Sequence, residues 1–145
     1  IEYLAAKHPG AAKLIPADKD LALRVRLSDR FYDLHVHDKM QRIVGDRLRP
    51  DDKKDAFGVE KLRNELEIAL SLVDRDMGEG GWATGLTFTM ADCAAAPALY
   101  YANQVAPFGD KHAGAARYLD RLIARPSFAR VLAEAEPFFA MFPKS

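Results

Sequence analysis

The segment LTFTMADCAAAPALYYANQVAPF, residues 86–108, carries one formal charge, Asp92, in a chain whose charged content is 29%. Pro97 and Pro107 interrupt it, and together with Asp92 they leave an apolar stretch only about half the roughly 20 residues that a bilayer span needs. A membrane helix is therefore excluded. What remains is a helix that is apolar all the way round, and such a helix is enclosed by protein on every side. It is expected to form the centre of the fold.

The acid at its head has a structural reading. Thr89-Met90-Ala91-Asp92 is an [ST]-x-x-[DE] sequence directly before an apolar run, the pattern of a capping box. Thr89 is expected to accept from the Asp92 N–H while the Asp92 carboxylate accepts from the Thr89 N–H. A helix closed off from solvent cannot hand its first N–H groups to water, and each one left unpaired costs about 1–3 kcal/mol. The negative charge also suits the positive end of the helix dipole. A catalytic acid or metal ligand is the competing reading of Asp92, but neither a His nor a second carboxylate stands near it in sequence.

Outward from this centre the chain reads as helix. From Asp18 to Arg49 it lacks Pro, contains only Gly45, and offers Asp18 as an N-cap, with Pro50 as the stop. At about 1.5 Å per residue the element would be on the order of 45 Å long, which predicts a bend near its middle. After the polar stretch PDDKKDAFG, Val59, Leu62, Leu66, Ala69, Leu70, Val73 and Met77 recur at three- and four-residue steps, an amphipathic helix halted by GEGG at 78–81. The short connection makes these two helices antiparallel neighbours. A further helix is expected over 113–124, and a last one from Pro126 or Ser127 to a stop at Pro137. No alternating strand pattern and no internal repeat occurs. The predicted fold class is all-α, a helical bundle.

Composition narrows the function classes. The 145 residues are one domain's worth of chain, and 49% hydrophobic content is that of a globular core. Twenty-one basic residues balance twenty-one acidic ones, so no global field draws in nucleic acid or an anionic membrane. A lone cysteine, Cys93, makes no internal disulfide, and no charged-then-apolar leader precedes the first residues; both point to the cytoplasm. Cys93 has no adjacent cation or histidine and reads as a buried structural thiol. His35 and His37 point to different faces of a helix, and His8 and His112 lack ligand partners, so no metal site is expected. Gly78, Gly80 and Gly81 lack the Lys-Ser/Thr of a phosphate loop.

FTMADCAAAPALYY, preceded by WATGLT and followed by YLDRLIARPSF, resembles the sixth to eighth helices of cytosolic glutathione transferases. IEYLAAKHPGAAKLIPADKDLALRVRLSDRFYD is similar to the family's passage from the last helix of the thioredoxin-like domain, through a linker, into the first long helix of the helical domain. The resemblance implies a remnant helix plus linker over 1–17 and an all-helical C-terminal domain of glutathione transferase type over 18–145. Two departures stand out. Leu86 and Thr87 follow Gly85 where the family usually has an Asp or Asn, and Cys93 occupies the staple position normally held by a branched aliphatic residue.

In this family the residue that meets the glutathione sulfur lies on the thioredoxin-like domain. The resemblance therefore places no catalytic residue within these 145, implies that they are a piece of a longer transferase, and predicts no conjugating activity for them alone. It implies glutathione as a co-substrate, with no bound cofactor, a homodimer, and an apolar electrophile. RLSDRFYDLH matches the region that supplies an acid to the glutathione α-amino group across the dimer, which puts that acid at Asp29; the alternative is a solvated helix acid beside Arg26 or Arg30. Tyr32, Val36 and Lys39 follow at three- and four-residue steps on the same face, as lining of the electrophile pocket or as plain core or dimer contacts. Two functions stay open: the helical half of a detoxifying transferase, or a non-catalytic module of the same fold used for dimerisation or protein docking.

Overall fold

The computed structural model describes residues 1–8, 10, 13–78 and 80–143. Pro9, Ala11 and Ala12 of the expected linker, Glu79 of the GEGG stop and the last two residues lie outside this set. Seven α-helices are described: α1 (Glu2–Lys7), α2 (Lys19–Phe31), α3 (Asp38–Arg47), α4 (Ala56–Met77), α5 (Met90–Val105), α6 (Ala113–Ile123) and α7 (Pro126–Ala135). No strand occurs among the described residues. Trp82 and Gly85 make one isolated antiparallel bridge, in a tight loop where Gly81 and Gly85 take φ of 91° and 126°. The all-α expectation holds.

The long first element begins where its cap predicts, with Asp18 Oδ1 accepting from the Leu21 N–H at 2.8 Å. Near its middle the element leaves regular α-helical geometry. Residues Tyr32–His37 form a π-helical segment between α2 and α3, and the Asp38 N–H donates to the Asp33 carbonyl, five residues back. Short π-helical insertions of this kind are rare and concentrate at functional sites. At the start of α4, Asp55 Oδ1 accepts from the Gly58 N–H at 2.8 Å, and the Asp55 N–H donates to Asp46 Oδ1 at 2.9 Å, which ties the hairpin's turn to α3.

Helix α5 is the hub. It packs against α2, the π segment, α3 and α6, and buries Met90, Ala91, Asp92, Ala95, Ala96, Ala98, Leu99, Ala102 and Val105. Its many alanines let neighbouring backbones approach closely. Pro97 lies within the helix on an exposed flank and leaves the Cys93 carbonyl without its helical donor. Helix α4 buries Leu62, Leu66, Ala69, Leu70, Val73 and Met77, nearly the whole predicted stripe.

Helix α7 starts at Pro126, as expected, but Pro137 does not end the helical path. The α-helix stops at Ala135, and a 3₁₀ segment, Glu136–Met141, carries Pro137 at its start, where a missing N–H costs nothing. Ahead of the bundle, the Leu14 carbonyl accepts from the Met90 N–H at 2.9 Å. Leu14 and Ile15 pack on buried Val25, Met90 and Ala91.

Between α4 and α6 a buried histidine meets an acid. His112 is 3% exposed, and its Nε2 lies 3.0 Å from Glu67 Oε1, the same oxygen that pairs with Lys111. The Lys111 bond chiefly, with help from the charges of His112 and Lys111, holds the Glu67 carboxyl below its ordinary value against a smaller opposing effect of burial. A depressed acid stabilises the fold above its unfolded-state pKa, near 4.5, and that contribution is lost as pH falls through the folded value. The acid limb of the stability curve should therefore be shallower in Glu67→Gln than in the parent, with the two curves parallel near neutral pH; thermal melts between pH 3 and 7 provide the check.

Candidate functional site

Asp92 is fully buried, and its carboxylate gathers more than the sequence indicates. A capping box joins it to Thr89. One bond of that box runs from the Thr89 N–H to Oδ2 at 2.8 Å, and the Thr89 hydroxyl donates to the same oxygen at 3.1 Å. The other oxygen, Oδ1, accepts from the Ala83 N–H at 2.8 Å and from the Tyr118 hydroxyl at 2.6 Å. Four donors converge on one acid. This fits the structural reading of Asp92: its lone pairs are occupied by the protein's own groups, and no cluster of three or more metal-ligating side chains occurs among the described residues.

Burial first, and then the negative charge of Asp92, push the Tyr32 phenol well above its usual value. Burial and the neighbouring Tyr32 and Asp92 push Tyr118 upward as well. Both phenols stay protonated at neutral pH, and each has one proton to give. Tyr118 gives its own to the Asp92 carboxylate.

Beside Tyr32 lies an apolar groove of about 440 Å³, with Leu27, Phe31, Leu34 and Leu72 at its sides and Tyr32, Met77 and Ala83 among its lining. Leu27 and Leu34 are 71% and 53% exposed, so a large part of this apolar surface faces solvent. The arginines at its edge are already paired: Arg75 with Asp76 at 2.7 Å, and Arg30 with Asp29 at 2.9 Å and with Asp33. The groove presents little net charge to an occupant.

Asp29 lies on the adjoining side of α2, in a recess shared with Ile1, Glu2, Tyr3, Arg26, Arg30 and Met90. Its side chain is 15% exposed. Arg26 is engaged elsewhere, with Nε and Nη2 on the two carboxylate oxygens of Glu2 at 2.7 and 3.1 Å, and this fork fastens α1 to α2. Of the two arginines considered as neighbours of Asp29, Arg30 is the one that pairs.

The four residues placed on one face by their spacing do not form one wall. Tyr32 lines the groove, whereas Val36 is 0% exposed in the hydrophobic core. Lys39 turns to Asp38 and to Glu65 on α4, at 3.3 and 3.4 Å. Their shared face presumed regular α-helical rotation, and the π segment breaks that rotation between Asp29 and Lys39. Cys93 is half-buried, and burial, followed by the nearby Asp92 charge, raises its thiol, the setting of a structural cysteine rather than a nucleophile.

Residues 56–134 match the family model described as glutathione S-transferase, C-terminal domain. Among solved structures, a glutathione S-transferase from Methylobacterium radiotolerans in complex with glutathione sulfonate is 30% identical, with a TM-score of 0.76, over 89% of this chain and 61% of that one. A glutathione S-transferase from Methylobacillus flagellatus with glutathione bound is 28% identical, with a TM-score of 0.79, over 89% and 64%. The fold alone is shared with a glutathione transferase from Phanerochaete chrysosporium with oxidized glutathione, at 17% identity and a TM-score of 0.81 over 96% and 64%. The chain thus spans less than two thirds of the length of these relatives. No curated protein matches it. An all-helical bundle with a sealed apolar hub, matched over more than half its length by that family model, places the chain in the glutathione S-transferase family as a C-terminal domain.

Proposed function

We propose that the chain is the helical domain of a cytoplasmic, homodimeric glutathione transferase, and that the complete protein conjugates glutathione to a hydrophobic electrophile. The observation that carries this reading is the family match over 56–134, joined by two relatives at 30% and 28% identity whose structures hold glutathione or its sulfonate. In this proposal residues 1–17 are the end of a thioredoxin-like domain and its linker, and 18–145 form the helical domain. The groove between Leu27, Phe31, Leu34 and Leu72 is one wall of the electrophile pocket, with Tyr32 in its lining. Its paired arginines and apolar sides suit a neutral aryl or alkyl group. Val36 and Lys39 belong to this assignment only through the segment they stabilise, since neither reaches the groove. Exposed Phe57 and Ile68 on α4, at 81% and 64%, are apolar surface that pairing of two copies would cover.

Asp29 is the proposed contact for the glutathione ammonium. Its carboxylate retains lone pairs beyond those used by Arg30, and the recess around it is open to a partner subunit. The protein encoded by the full reading frame, given glutathione and an aryl halide, is expected to turn over. Asp29→Ala should raise the KM for glutathione about tenfold, the cost of one charge-assisted bond, and leave kcat within about twofold. Steady-state kinetics test the assignment: absence of turnover sinks the enzyme reading, and an unchanged KM sinks the role of Asp29. Residues 1–145 alone are expected to show no turnover, so measurable conjugation by them would misplace the chemistry.

A further inference from the structure

We infer that Arg121 is a positioning residue that fixes the glycine-rich loop between α4 and α5, and with it the edge that this loop supplies to the groove. Three arginines reach the loop from the side of α6. Arg117 Nη2 donates to the Gly78 carbonyl at 3.3 Å, and Arg121 Nε donates to the Gly81 carbonyl at 2.9 Å. These two stand one turn apart on α6. The Arg125 guanidinium lies 3.6 Å from the centre of the Phe88 ring, near the loop's far end. Of the three, Arg121 makes the shorter hydrogen bond and makes it in the half-buried part of the loop.

Such a loop needs support from outside. Gly80 and Gly81 both have φ of 91°, and glycine leaves an untethered chain more backbone freedom than any other residue. Trp82 and Gly85 bond to each other at 2.7 and 3.0 Å, which closes the tip of the loop without tying it to the bundle. The ties lie on either side of Trp82. The Gly81 carbonyl is held by Arg121 on α6, and the Ala83 N–H by Asp92 Oδ1 on α5 at 2.8 Å. Ala83 is part of the groove's lining, so the residue that the loop presents there is bracketed by these two bonds. Filling space would not call for arginine at position 121. Its Nη2 is buried without a hydrogen-bond partner among the described residues, and a buried donor left unpaired counts against stability. Methionine would occupy a similar volume without that cost. What methionine lacks is the N–H at the ε position, the one that holds Gly81.

The test is residue-resolved amide hydrogen exchange on the protein encoded by the full reading frame, with Arg121→Met, Arg121→Gln and Arg130→Met compared to the parent. The bonded amides of Trp82, Ala83 and Gly85 report on the loop. Arg121→Met carries a methyl group where arginine carries Nε. It should accelerate exchange at those three amides about tenfold while the melting temperature stays near that of the parent. Arg121→Gln places an amide nitrogen at the same position and should bring exchange back to within about twofold of the parent. Arg130→Met removes an exposed arginine that pairs with Glu134 on α7, and should leave the loop as it is. In the same proteins the KM for a chlorodinitrobenzene should rise about fivefold in Arg121→Met and stay near the parent in Arg121→Gln, with the KM for glutathione unchanged. This kinetic arm rests on the function proposed above: a parent without turnover sinks that function, and exchange still decides the role of Arg121. Parental exchange at the three amides in Arg121→Met overturns the inference, as does equal acceleration in the methionine and glutamine variants. A methionine variant that does not fold overturns it too, because Arg121 would then be a support of the core. Faster exchange with an unchanged KM for the chlorodinitrobenzene overturns the link from loop to groove.

Discussion

Asp92→Ala is expected to leave the chain without a cooperative unfolding transition. The substitution strands the Thr89 N–H, the Ala83 N–H and the Tyr118 hydroxyl in a site that water does not reach. At about 1–3 kcal/mol for each stranded donor the loss is roughly 3–9 kcal/mol, comparable to the entire stability of an ordinary domain at about 5–15 kcal/mol. Asp92→Asn keeps the shape and one acceptor oxygen, and should cost about half as much or less. Thr89→Ser retains both the N–H and a hydroxyl and should behave nearly as the parent. Urea unfolding followed by circular dichroism distinguishes these cases. An Asp92→Ala protein within about 1 kcal/mol of the parent would show that the carboxylate is not what closes α5.

Gly114→Val should be the second most damaging single change, for a steric reason. A Cβ at position 114 would sit 2.5 Å from the Asp74 carbonyl oxygen and 3.1 Å from Asp74 Oδ1. The carbonyl is backbone in the last turns of α4 and cannot swing aside, so α6 must move away. That movement also breaks the bonds by which Asp74 Oδ1 caps α6, from the Gly114 N–H at 2.6 Å and the Ala115 N–H at 3.2 Å. Overpacking at about 1–3 kcal/mol together with a lost cap at about 1–2 kcal/mol gives roughly 2–5 kcal/mol. Asp74→Asn would forfeit only part of the cap. A melting temperature for Gly114→Val as high as that of Asp74→Asn would mean that α4 and α6 do not touch at this point.

Local relationships are legible in the sequence and distant ones are hidden. Caps at Asp18 and Thr89 lie within three residues of the donors they satisfy, and residue type together with position identifies such sites. The stripe on α4 is equally readable, because an uninterrupted helix repeats its buried face every 3.6 residues. Asp92 itself is readable as a cap, but its partners Ala83 and Tyr118 stand nine and 26 residues away, a separation over which no periodicity carries information. The Asp74 cap of α6 spans 40 residues and is invisible for the same reason. Tyr32, Val36 and Lys39 show the opposite failure. Spacing places them together with Asp29, yet spacing states only which residues share a face of a regular helix, and neither depth nor a change of register shows in it. The groove depends on the exposure of Leu27 and Leu34, apolar residues whose type alone suggests burial.

One residue too many for an α-helical path lies between Phe31 and Asp38. Each added residue turns the remainder of the helix by about 100° around the axis, so the two halves of this element address different neighbours: the first lies along α5, while the second touches α5 and packs mainly along α4. Excision of a single residue there would preserve composition, length and helicity almost unchanged, yet swing Met40, Ile43 and Val44 out of the interior and their polar neighbours into it. The surplus residue acts as a swivel that lets one continuous rod serve two partitions of the bundle.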